Sequence, residues 1–177
     1  MNRFVLITGC SGGGKTTLLK ELEGRGYATV AEPGRRILAE ERAGTGRALP
    51  WVDGAAFAQR AVEVARSDLA AMRNQKGLVF FDRGVVDAAV ALDHATGLPY
   101  RQTLGAHRHY DSTVFLAPPW PEIFSQNDDR RHDLTAAKEE FQRLEAALEA
   151  LGYDICLLPK VPVAERVERV LSRLKHS

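Results

Sequence analysis

Gly9-Cys10-Ser11-Gly12-Gly13-Gly14-Lys15-Thr16 carries glycine, lysine and a hydroxyl at every fixed position of the pattern G-x-x-x-x-G-K-[ST]. Glycine reaches positive φ without strain, so such a loop can turn several backbone N–H groups toward one point and make an anion nest. The helix that should begin near Lys15 adds its positive end at the same place. This stretch predicts that Gly9, Ser11, Gly12, Gly13, Gly14, Lys15, Thr16 and Thr17 hold the polyphosphate of a nucleotide. Lys15 would reach the β- and γ-phosphates, and the Thr16 hydroxyl would ligate Mg²⁺.

A magnesium–nucleotide site needs a second carboxylate, at the end of a neighbouring buried strand. Asp82, which ends "LVFFD", answers that description, although an aspartate there could instead cap the helix that follows. Beside it, Arg83 either stabilises charge on a transferring group or pairs with Asp87. A phosphate loop identifies a donor and leaves the reaction open. A GTPase switch would carry D-x-x-G and N-K-x-D; here Asp82-Arg83-Gly84 brings glycine one position early, and N-K-x-D is absent from the sequence. A small-molecule kinase needs an acceptor base, cations on the migrating phosphoryl and a lid that excludes water. Glu32 in "TVAEPGRR" is the candidate base, with an exposed glutamate before a proline turn as the plainer reading. Arg35 and Arg36 follow it as contacts for an anionic acceptor or as a solvated face. Arg130 and Arg131, in "PPWPEIFSQNDDRRHD", are the lid cations, within a lid expected at about residues 119–134.

Other polar residues fit quieter roles. "PKVPV" (159–163) either walls the donor base or simply turns the chain into a helix. His107 and His109 lack a third ligand at useful spacing and read as surface or strand-edge groups, while Gln59 and Arg60 read as solvated helix residues.

The elements that must position these groups follow from apolar periodicity. Strands are expected at "RFVLITG", "YATVAEP", "GLVFFDRG", "STVFLAPP" and "YDICLLP". Helices are expected at "GKTTLLKELEGRG", "GRRILAEERAG", from Asp53 to about Asn74, and at "VVDAAVALDHATG", "TAAKEEFQRLEAALEALG" and "VAERVERVLSRLK". Strands alternating with helices predict an α/β three-layer fold: a five-stranded parallel sheet covered on both faces, as one domain over 1–177. Apolar residues are 45% and charged residues 27% of the 177, with a net charge of +1. That balance argues against disorder, and against a basic field for nucleic acid. No apolar run reaches the roughly 18 residues of a membrane span, and "MNRFVLIT" has no export pattern. Two cysteines, Cys10 and Cys156, cannot form a disulfide framework and point to a reducing, cytoplasmic setting. The apolar face of the long helix serves either the core or a dimer contact.

"GCSGGGKTTLL", "VAEPGRRIL", "FFDRGVVD" and the stretch from "DDRRHDLTAA" to "LGYDICLLP" together resemble the P-loop AAA-type family that includes nicotinamide-riboside kinase domains. The chain is also similar in layout to deoxynucleoside kinases, where a Glu-Pro segment supplies the base, and to proteins labelled cytidylate kinase. The resemblance implies a kinase-type P-loop fold, nucleotide binding at residues 9–17, Asp82 as the metal-side acid and Glu32 as the base. The expected activity is therefore Mg²⁺-dependent phosphoryl transfer from ATP to a nucleoside, nucleotide or related hydroxyl compound. The alternative is a regulatory module that binds ATP or GTP and has no kinase activity.

Overall fold

The computed structural model describes residues 2–120 and 134–175. Five parallel strands lie in the order β2 (Ala28–Val30), β3 (Gly77–Asp82), β1 (Asn2–Gly9), β4 (Thr113–Ala117) and β5 (Asp154–Leu157). Helices follow in chain order as α1 (Lys15–Gly24), α2 (Pro33–Ala43), α3 (Gly54–Ala71), α4 (Val85–Thr96), α5 (Tyr100–Leu104), α6 (Leu134–Ala150) and α7 (Val163–Lys175). The fold class read from the sequence is the one observed.

Period-two alternation explains why both sheet faces are covered. Val5, Ile7, Phe80 and Phe115 point into a core shared with Leu18 and Leu22 of α1 and with Val167, Val170 and Leu174 of α7. Leu6, Val79, Phe81 and Val114 point the other way, against α3, α4 and α6. β1 is therefore buried on both faces and paired on both edges. It carries the phosphate loop at its carboxyl end, which anchors that loop in the best-supported part of the sheet.

Several boundaries differ from those expected. The second strand was expected over residues 27–33 but ends at Val30. It is an edge strand with one neighbour, and Pro33 has no N–H for a ladder; proline instead takes the first turn of α2. The helix expected from Asp53 to about Asn74 is α3 followed by one 3₁₀ turn at Met72–Asn74. The Asp53 side chain accepts from the Ala56 amide at 2.9 Å and so caps its start. The apolar face of α3 is committed to the core: Ala58, Ala61, Val62 and Ala65 are buried, with Phe57, Val64, Leu69 and Met72 packed beside them. Helix α5 was not expected, because "YRQTL" is too short to show a period.

Candidate nucleotide and acceptor site

Gly9, Gly12 and Gly14 adopt positive φ of 122°, 80° and 72°. At Gly9 a second reason for glycine is contact, since a Cβ would stand 2.2 Å from the Ala117 carbonyl of the adjacent strand. Gly13 also backs onto Ala117, and Ser11 is half-buried. Lys15 opens α1 and is buried, its Nζ donating to the carbonyls of Gly9 at 3.2 Å and Cys10 at 2.8 Å. Burial pulls its ammonium below the ordinary lysine range, and the Arg83 cation adds to this against Asp82, Glu32 and Asp87. Thr16 faces the sheet edge, whereas Thr17 is exposed on α1.

Asp82, the last residue of β3, is 4% exposed. Thr16 Oγ1 lies 3.4 Å from Asp82 Oδ2, and Asp82 Oδ1 is buried without a hydrogen-bond partner. Burial pushes this carboxyl up, with Glu32 acting the same way and Lys15 opposing. No side-chain cap bond from Asp82 is formed at the start of α4; that work falls to Asp87, whose Oδ2 accepts from the Gly84 amide at 3.0 Å. Asp87 Oδ1 accepts a hydrogen bond from Thr8, so the carboxylate ties α4 to β1.

Arg83 has φ 59°, the one positive value among described residues other than glycine. Its Nη1 donates to Glu140 Oε1 of α6 at 2.6 Å, and its Nε lies 3.6 Å from Glu32 Oε1. Burial alone would lower its guanidinium, but Glu140, Glu32 and Asp87 raise it. Glu32 is the N-cap residue of α2, not a strand residue, and its other oxygen pairs with Arg35 Nε at 3.1 Å. Arg36 pairs with α3, where Asp68 accepts from both of its terminal nitrogens. Thr16, Asp82, Ala31, Glu32, Arg35 and Arg36 line one cleft of about 460 Å³.

Among the remaining candidates, Arg60 pairs with Glu40 and Glu41, and Gln59 donates to Glu63. His109 Nε2 lies 2.9 Å from the Leu104 carbonyl and His107 is exposed. Arg130, Arg131 and most of the expected lid lie outside the described residues. Two groups at the site were not anticipated. Glu140 shares a helix stripe with buried Ala137 and Leu144, and Arg166 shares one with Val170 and Leu174. A charged residue placed on a buried stripe was the signal for both.

A central strand, a glycine loop cradled at its carboxyl end, and an acid on the adjacent strand tip define a P-loop protein with the nucleotide-kinase type of sheet. The sequence matches the family model described as AAA domain over residues 4–166, and the chain belongs to that family. No curated protein matches the sequence significantly. Among solved structures, the fold is similar to deoxyadenosine kinase from M. mycoides with bound dATP (TM-score 0.65, 14% identity, covering 97% of this chain and 99% of that one). A second structure of that enzyme, with products dCMP and a flexible dCDP bound, gives a TM-score of 0.62 at 13% identity, covering 98% and 100%. Shikimate kinase from Acinetobacter baumannii in complex with shikimate gives 0.61 at 16%, covering 99% and 94%.

Proposed function

We propose that the chain is a small-molecule kinase that transfers the γ-phosphoryl of ATP to a nucleoside, nucleotide or related hydroxyl compound. The observation that carries this reading is a shared cleft: Thr16 and Asp82 at the donor end and Glu32 at the other line one cavity. Phosphoryl transfer needs donor and acceptor oxygens in line within one enclosure.

The residues present fit Mg²⁺. Thr16 Oγ1 and Asp82 are hard oxygen donors, and the orphaned, buried Oδ1 of Asp82 leaves an acceptor needing a partner. When bound, the ion would supply charge neutralisation on the β- and γ-phosphates. Lys15 would exchange its two carbonyl partners for phosphate oxygens. Glu32 would orient the acceptor hydroxyl and take its proton. Arg83, held between Glu32 and Glu140, would fix the Glu32 carboxylate and add positive charge near the migrating group.

The test is an acceptor panel of deoxynucleosides, nucleoside monophosphates and shikimate, with Mg·ATP or Mg·GTP as donor and ADP or GDP release as the readout. A kinase shows release stimulated by one acceptor class. Slow release indifferent to every acceptor would instead mark a nucleotide-dependent binding module.

A further inference from the structure

Arg166, on α7, reaches across to the phosphate loop. Its Nη2 donates to the Gly13 carbonyl at 2.9 Å and its Nη1 to the Gly14 carbonyl at 3.2 Å. It is 3% exposed, and its guanidinium stands over the Trp120 ring at 5.6 Å. Its Nε is buried without a hydrogen-bond partner. A buried guanidinium is costly, and pairing with a carboxylate is the usual compensation. Here the compensating groups are two glycine carbonyls and an aromatic face.

The geometry has a consequence for the loop. The chain has no cis peptide among its described residues, and in a trans peptide C=O and N–H point to opposite sides. Drawing the Gly13 carbonyl toward Arg166 therefore turns the Gly14 N–H the other way. The Gly14 carbonyl, shared between Arg166 and the Leu18 amide at 3.2 Å each, turns the Lys15 N–H the same way. Gly14 and Arg166 are matched in space as well: a Cβ at Gly14 would stand 2.6 Å from Nη1. The arginine itself is anchored, because the next residue, Val167, is fully buried in the core that α7 shares with α1.

We infer that Arg166 is a positioning residue for the phosphate loop, holding two peptides so that the Gly14 and Lys15 amides face an incoming polyphosphate. The inference rests on the reading of residues 9–17 as a phosphate site. Two measurements separate the failure of one from the failure of the other. The first is amide hydrogen exchange of the nucleotide-free protein in Arg166→Met and Arg166→Lys. The Leu18 amide, protected by its bond to the Gly14 carbonyl at 3.2 Å, should exchange at least about tenfold faster in Arg166→Met, with β1 and β3 unchanged. Arg166→Lys, which keeps the charge but loses the fork, should fall between. The second is Mg·ATP affinity by titration, which should weaken about tenfold in Arg166→Met and less in Arg166→Lys.

A folded variant whose Leu18 amide exchanges as in the wild type overturns the role of Arg166. So does a uniform rise in exchange across α7 and the sheet, which a merely structural arginine would produce. If Arg166→Met does not fold, Arg166→Lys decides by the same criteria. A wild-type protein that fails to bind Mg·ATP removes the kinase reading, and the exchange comparison still decides whether Arg166 orders the loop.

Discussion

Thr16 Oγ1 stands 3.4 Å from Asp82 Oδ2, joining the first turn of α1 to the tip of β3. The separation is long for an O–H···O bond, so the two oxygens are neighbours at ligand spacing more than a tight pair. With Asp82 Oδ1 unpartnered beside them, Thr16→Ala should abolish the magnesium dependence of ATP binding while leaving the sheet intact. Titration with ATP in the presence and absence of Mg²⁺, alongside a thermal melt, checks it.

Lys15→Met should cost at least about hundredfold in phosphoryl transfer, the scale seen when a charge-stabilising donor is lost. Its ammonium is the buried cation at the loop mouth, held on the Gly9 and Cys10 carbonyls. A coupled ADP-release assay with the acceptor found in the panel measures the loss.

Glu32→Gln should leave Mg·ATP affinity within about twofold and lower transfer by about hundredfold or more, as removal of a general base does. The side chain contacts Arg35 and Arg83, not the loop. Comparable turnover in the variant removes Glu32 from the chemistry.

Gly9→Ala should destabilise the fold by about 2–4 kcal/mol, through a strained φ and overpacking against β4. The added methyl would meet the Ala117 carbonyl at 2.2 Å, and a strand backbone cannot move aside as a flexible side chain can. Urea unfolding reads the change directly.

Asp87 gives a pH signature. Burial pushes its carboxyl from 3.8 up to about 6, with Glu140 acting in the same direction and Arg83, Thr8 and Lys15 opposing. The folded protein thus keeps a proton that the unfolded chain releases. Stability should therefore fall as pH rises from about 4 to about 6, then level off. Asp87→Asn should flatten that slope, since an amide can still accept from Gly84 and donate to Thr8. Urea midpoints across the window decide.

The sheet and the phosphate loop were legible because strong signals coincided there: β-branched runs, glycine spacing and a helix start at one place. The acceptor side was less so. Glu32 read as a strand end because "YATVAEP" looks extended, but an edge strand with a single partner stops early and Pro33 begins a helix instead. Arg36 read as an acceptor contact or part of a solvated face, and only tertiary packing brings Asp68 of α3 to it. Arg83 could not be placed because its partner Glu140 lies 57 residues on, across the sheet edge. Arg166 stood on the apolar stripe of Val170 and Leu174, but its carbonyl partners at Gly13 and Gly14 emerge only when α7 is docked against α1.

β1 and β3 are zipped in register from Asn2↔Gly77 to Ile7↔Asp82, whereas Glu32, Arg35 and Arg36 hang from a three-residue border strand. One half of the cleft thus sits at the centre of the sheet and the other at its margin, where Arg36 ties α2 to Asp68 of α3. Under the kinase proposal, substitutions along α2 should change which acceptor the margin admits and leave Mg·ATP affinity unaltered. The choice of acceptor is then free to diverge on this scaffold while the phosphate loop stays the same.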